Sequence, residues 1–342
     1  MAQTAAKRHP RPMTPATDTL PLPATLTGPR LLRRRIAEFT PVTPHAIALF
    51  RLGEICNHHC PMCSNSGAPE AWQTPTPELL RRIDWMWAQG LRRVVVTGGE
   101  PTVHPGFVQV INKLAELRMA WDINTNGSRL AEPGFCATVA ELGLLRAIVS
   151  LHGHEIQESM VISGITAKGH HQVVAGIDAL LGNGIAVMIN AVATRHTIGK
   201  LVDLLRWGVD RWGTVPVWKL VFPSTAGKGG AWPGIALQYH EVAADFSACA
   251  AAADALGVAL VFENVPPCVL GDRGIRNVAR SGFGETHYLD DASGDRLYSI
   301  DHIEASFNAY LESCKACAVF RSCPGVAESY LRRHGATEFQ RL

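Results

Sequence analysis

No uninterrupted apolar run long enough to span a bilayer (about 18 residues) occurs in the 342-residue chain, which excludes an ordinary transmembrane helix. Charge of one sign is equally scarce. Against 32 Lys and Arg stand 30 Asp and Glu, and the formal charge of +2 is too small to argue for nucleic acid or an acidic membrane as partner. Lys7, Arg8 and Arg11 have no continuous apolar core after them, so no secretory signal is expected and the expected address is the cytoplasm. No internal repeat is visible. Residues 224–234 contain Gly227-Lys228-Gly229-Gly230 but lack the Gly-x-x-x-x-Gly-Lys-Ser/Thr spacing of a phosphate loop, so they read as a linker. Nine cysteines are too few for a disulfide scaffold of this length.

What is present is ample apolar material, 47% of residues, arranged in alternating strand and helix patterns. Strands are expected at 46–53, 94–97, 120–125, 145–151, 185–193 and 215–222. Helices are expected at 76–87 (Thr76 as N-cap, Pro77 at the first position), 107–117, 133–142, 169–181 and 198–207. About six strand–helix units in succession imply right-handed crossovers and a parallel sheet, hence an α/β fold. In such folds the ligand sits at the C-terminal ends of the strands. An Ala-rich helix at 239–256 and a strand at 258–263 follow the linker, and an irregular cysteine-bearing stretch closes the chain. Residues 1–45 read as a flexible basic arm with at most a short helix at 31–39, 46–235 as the main domain and 236–342 as a smaller C-terminal region.

The cysteines are clustered. Cys56, Cys60 and Cys63 form a C-x3-C-x2-C loop just after the first strand. Three thiolates on a short loop suit three irons of a [4Fe–4S] cube whose fourth iron stays open, which is what a catalytic metal site needs. Zinc is the other reading, with His58 or His59 as fourth ligand. Gly98-Gly99-Glu100-Pro101 follows the second strand, 35 residues after Cys63. Its glycines permit close backbone approach, and its carboxylate suits an ammonium group.

With these two motifs, residues 46–223 resemble the radical S-adenosylmethionine (radical SAM) superfamily. The resemblance implies a partial (β/α)6 TIM-like barrel. It implies that Cys56, Cys60 and Cys63 bind a [4Fe–4S] cluster, that S-adenosylmethionine chelates the open iron, and that Gly98, Gly99 and Glu100 hold its amino group. Thr125 and Asn126 end the third strand and Ser150 the fourth, where the family places ribose and carboxylate contacts; Asn190 in the fifth strand is a further candidate. Family members often carry an aromatic residue near the adenine just before the third cysteine; here Met62 offers a soft apolar contact instead. His152, at a strand end, is the candidate acid, base or hydrogen-bond donor toward substrate.

Cys314, Cys317 and Cys323, with Cys268 upstream, make a four-cysteine set for a second [4Fe–4S] cluster or for zinc. The set resembles the SPASM or twitch extensions of radical SAM enzymes, but Ala327 stands where the fuller pattern has a further cysteine, so it fits one auxiliary cluster. Cys136 and Cys249 lie on apolar helical faces, where a buried thiol is the default. The expected activity is reductive cleavage of S-adenosylmethionine to a 5′-deoxyadenosyl radical that takes hydrogen from a substrate, for oxidative modification of a peptide. The alternatives are a small metabolite in antibiotic or cofactor biosynthesis and, from another class, a two-zinc binding module. A winged-helix-like domain for peptide leaders is not seen, and nucleic acid is not expected as partner. An electron donor of the flavodoxin or ferredoxin kind is.

Overall fold

The computed structural model describes residues 19–21, 31–34, 42–65, 72–225, 227–274, 285–340 and 342. Along the chain run β1 (Thr19–Pro21), β2 (Leu31–Arg34), β3 (Ile47–Arg51), α1 (Thr76–Ala88), β4 (Arg93–Thr97), α2 (Phe107–Glu116), β5 (Ala120–Thr125) and α3 (Phe135–Glu141). Next come β6 (Leu144–Ser150), α4 (Ile156–Ser163), α5 (Ala167–Gly182), β7 (Ala186–Val192), α6 (Leu201–Trp212), β8 (Val217–Val221), α7 (Tyr239–Leu256) and β9 (Leu260–Glu263). The remainder comprises α8 (Pro267–Leu270), β10 (Thr286–Leu289), β11 (Leu297–Ser299), α9 (Ile300–Phe307), β12 (Asn308–Leu311), β13 (Val326–Ala327) and α10 (Glu328–His334). Among the described residues no helix is long and apolar enough to cross a membrane.

The sheet order β11-β10-β3-β4-β5-β6-β7-β8-β9 contains the six expected parallel strands, β3 to β8, in unbroken succession. Each is paired in parallel with the next. The fold class is α/β with an open parallel sheet of the partial-barrel kind. The structure adds to the sequence reading at both edges: β9 pairs with β8 and β10 with β3, so strands from beyond residue 235 extend the main sheet. Among its described residues, the stretch read as irregular contains four strands and three helices besides its turns. Its strands are two to four residues long, too short to show a period of two.

Side chains alternate faces along each strand. Ala48, Phe50, Val94, Val96, Trp121 and Ile123 are fully buried and join one core with the apolar stripes of the helices. In α2 that stripe is Phe107, Val110, Ile111 and Leu114, the i, i+3, i+4, i+7 pattern of a half-buried helix. The opposite, concave face carries Arg93, Asn124, Arg146, Lys219 and Glu263 and borders a cavity of about 2280 Å³. Among these polar residues stand Ile47, Leu49, Val95, Ile148 and Met188, so the cavity face is mixed where the helix-covered face is apolar.

Two further expectations change. Thr76 is the first helical residue of α1 and makes no cap; Pro75 flanks the helix without a side-chain cap bond. Leu31–Arg34 is a strand, not the start of a helix, and pairs antiparallel with β12, with Leu31 and Leu32 buried. Residues 35–39 of that expected helix, and most of the arm, lie outside the described residues.

Candidate active site

The chain leaves β3 at Arg51 and runs beside the end of β4 before reaching the cysteines. Thr97 O accepts Leu52 N–H (3.0 Å), Gly53 O accepts Gly99 N–H (2.8 Å), and Ile55 O accepts Glu100 N–H (2.8 Å). A Cβ on Gly98 would stand 2.5 Å from Gly53 O, and one on Gly99 2.3 Å from Ile55 O. The two glycines therefore let the chain's own backbone segments touch. Cys56, Cys60 and Cys63 follow, half-buried and in no disulfide, at the C-terminal end of the parallel strands. Cys63 N–H donates to Cys60 O (3.2 Å), which closes the turn that holds Met62. His58 N–H and Asn126 Nδ2 point at Cys56 Sγ (3.4 and 3.9 Å). Burial outweighs these donors and pushes the Cys56 thiol up.

Glu100 lies in a place that sequence reasoning did not foresee. It is 2% exposed, and its carboxylate is a hub for donors of its own chain. Oε1 accepts Thr102 N–H (3.1 Å), Thr102 Oγ1 (2.6 Å) and Thr125 Oγ1 (2.8 Å), while Oε2 accepts Asn126 N–H (2.6 Å). Burial pushes its carboxyl up, against these four donors. The carboxylate thus ties the end of β4 to the end of β5; a ligand ammonium reaching it would have to share oxygens already accepting from the protein. From the same hub, Asn126 Nδ2 donates to Asn57 Oδ1 (2.7 Å), inside the cysteine loop. Asn57 Nδ2 donates to Ser128 Oγ (3.0 Å), and Ser128 N–H to Asn126 Oδ1 (3.0 Å). Asn57 and Ser128 were missed. The signal was the Asn126-Gly127-Ser128 tripeptide, in which Asn126 accepts two residues on as an Asx turn.

Ser150 and Asn190 face each other in register on β6 and β7. Asn190 Oδ1 is a buried acceptor with no hydrogen-bond partner among the described residues. His152 is buried where β6 ends. It is 5% exposed, and its Nδ1 accepts Val192 N–H (3.2 Å), which fixes the neutral ring across β6 and β7. Burial, with His58 adding to it, lowers its pKa to about 4. Because this folded value lies below the unfolded one of 6.5, the unfolded chain binds the proton more readily. The contribution to stability is then present above about pH 6.5 and is lost as pH falls toward 4. His152→Asn, which keeps an acceptor for Val192, is expected to flatten part of the decline in thermal midpoint between pH 7 and pH 5. An unchanged pH profile would remove His152 from that role.

Cys268, Cys314, Cys317 and Cys323 are also free and half-buried. They lie within electrostatic reach of one another on α8 and the turns after β12. Burial first, then the neighbouring cysteines, pushes the Cys268 thiol up to about 11 and the Cys323 thiol up to about 12. Tyr310 Oη donates to Cys323 O (2.8 Å), and Gly325 N–H to Cys323 Sγ (3.3 Å). Among the described residues no three His, Cys, Asp or Glu side chains converge on one metal ion. Thiolates on separate corners of an iron–sulfur cube stand further apart than ligands of one ion. Of the four, Cys323 lines the same cavity as Arg93 and Arg146.

Three thiols on one loop, none in a disulfide, with N–H donors aimed at one of them, suit an iron–sulfur cluster, and the orphaned Asn190 acceptor on β7 suits a polar cosubstrate. Residues 50–208 match the family described as the radical SAM superfamily. A GTP 3′,8-cyclase of Caulobacter vibrioides is 30% identical over 166 residues, 46% of each chain. A probable GTP 3′,8-cyclase of Thermococcus kodakarensis is 33% identical over 140 residues, 40% of this chain and 43% of its own. The chain thus spans about half the length of the curated relatives it matches. Among solved structures, Streptococcus suis SuiB bound to its precursor peptide SuiA superposes with a TM-score of 0.61 at 14% identity, over 87% of this chain and 75% of that one. The enzyme anSMEcpe with AdoMet and a peptide superposes with a TM-score of 0.58 at 14% identity, over 87% and 92%. At these identities the likeness is one of fold.

Proposed function

We propose, from the premise that residues 50–208 form a domain of the radical SAM superfamily, that the chain is a radical SAM enzyme whose Cys56, Cys60 and Cys63 hold a [4Fe–4S] cluster. The observation that carries the reading is the placement of three thiols, none in a disulfide, on one loop at the C-terminal end of a parallel sheet. When bound, the cluster and S-adenosylmethionine supply a 5′-deoxyadenosyl radical that takes a hydrogen atom from a substrate. The chain's own work is positional. Glu100 and Asn126 lock β4, β5 and the cysteine loop together. Gly98 and Gly99 bring the loop onto the sheet, and Asn190 Oδ1 offers an acceptor to the cosubstrate. Thr125 acts through Glu100, and Ser150 and Met62 line the approach. Anaerobically reconstituted protein with dithionite and S-adenosylmethionine is expected to form 5′-deoxyadenosine. A chain carrying its full iron that forms none would overturn the reading.

The substrate we infer is a peptide, modified by net oxidation, so that the enzyme is an oxidoreductase of the maturase kind. Support comes from the second cysteine group, of which Cys323 lines the cavity, and from the fold likeness to two peptide-bound enzymes over 87% of the chain. The second reading is a small metabolite, favoured by relatives named for a nucleotide substrate. Cys268, Cys314, Cys317 and Cys323 would hold the auxiliary cluster, closed by four thiolates and suited to accept an electron from a substrate radical. A reductant of the flavodoxin or ferredoxin class completes the scheme. Iron analysis of the parent and of a Cys314→Ala/Cys317→Ala variant is expected to fall from about eight irons per chain to about four. About four irons in the parent, with zinc at the C-terminal cysteines, would remove the electron acceptor.

A further inference from the structure

The cysteine loop is gripped from three sides, and at each side the gripping residue is a glycine. Gly99, within the Gly-Gly-Glu-Pro motif, lies against Ile55 O as described above. Gly164, in the left-handed region (φ 61°) at the end of α4, lies against His59: a Cβ there would stand 2.4 Å from His59 O and 2.7 Å from its carbonyl carbon. Beside it, Ser163 O accepts His59 N–H (3.2 Å) and lies 3.6 Å from Cys60 Sγ. Gly229, in the segment read as a linker, lies against Met62, where a Cβ would be 2.3 Å from the carbonyl carbon and 2.4 Å from the oxygen. Its N–H donates to Cys63 O at 2.9 Å. Backbone cannot yield to such overlap as a flexible side chain can, so only glycine fits at these positions.

The segment of Gly229 also reaches the C-terminal region. Thr225 Oγ1 is 3.2 Å from Ser329 Oγ in α10, and Gly230 folds back so closely that a Cβ would meet Thr225 O at 2.1 Å. Thr225 and residues 227–231 therefore sit between the first cysteine loop and the C-terminal region. Neither Gly164 nor the Gly227-Lys228-Gly229-Gly230 run belongs to the motifs that point to the family.

We propose that Gly164 and Gly229 are positioning residues that hold residues 59–64 in ligand-presenting shape through backbone contact, so that the thiols stand in place before iron arrives. The proposal rests on the radical SAM reading of Cys56, Cys60 and Cys63. A preformed loop binds without first being ordered, which slows the loss of what it holds.

The test uses the reconstituted holoenzyme and follows iron release to EDTA by visible absorbance. Gly229→Ala and Gly164→Ala are expected to release iron from the first cluster about tenfold faster than the parent, on the scale of losing a residue that orients metal ligands. Gly182→Ala, whose added Cβ meets nothing within 4 Å, is the control and is expected to match the parent. Parental release rates in Gly229→Ala would overturn the proposal while leaving the family reading intact. A parent that takes up no iron would sink both. Independently of any substitution, hydrogen exchange on the cluster-stripped parent should find the His59 and Gly229 amides as protected as in the holoenzyme. Exchange at unfolded-loop rates in the stripped chain would show that the loop is not preformed.

Discussion

Cys60→Ala is expected to reduce 5′-deoxyadenosine formation to the background of cluster-free protein. Three loop thiolates serve three irons, and with two left the cluster is lost or labile. No other free thiol in the loop can substitute, because Cys56 and Cys63 are held in their own places by Asn126 and by the Cys60–Cys63 turn. Cys56→Ala and Cys63→Ala should behave alike. Cys136→Ala and Cys249→Ala are the controls, since both thiols are buried in helices α3 and α7 and lie outside the cysteine loop. Normal turnover by Cys60→Ala would sink the assignment of the loop.

Glu100→Gln is expected to lower stability by about 2–4 kcal/mol and to reduce iron content as well as S-adenosylmethionine binding. The amide can accept through one oxygen only. Its NH2 must then face either Asn126 N–H or the donors of Thr102 and Thr125, and a buried donor against a donor is costly. Loss of the Asn126 contact loosens the link through Asn57 to the cysteine loop, which is why iron should fall too. A carboxylate that merely touched the ligand would behave differently. If Glu100→Gln kept the parent's thermal midpoint and iron content and lost only S-adenosylmethionine affinity, the hub role would be wrong and direct contact with the amine right.

The strands and the cysteine loop were legible because both signals are local. Val94-Val95-Val96 is an apolar run bounded by turn residues, and Cys56, Cys60 and Cys63 are close enough in sequence to share one loop in any fold. The helix α4 was not legible, because Ile156–Ser163 has no clear apolar stripe. Its role is to deliver Ser163 and Gly164 to the cysteine loop. The linker was read from composition alone. Its glycines look like flexibility until Met62 and Ser64 are seen against them.

By itself, then, the sequence determined the α/β succession, the six central strands and the identity of the thiols, since hydrophobic period and short-range spacing need no knowledge of distant partners. Only the tertiary structure decided that β9 and β10 extend the sheet, that Glu100 is enclosed by Thr102, Thr125 and Asn126, and that His152 is a neutral tie between strands. Each of these depends on what stands opposite a residue across tens of positions of chain. A carboxylate with an empty neighbourhood and one with four donors are the same letter in sequence. Desolvation and hydrogen bonding, which set their chemistry apart, exist only once the chain has closed around them.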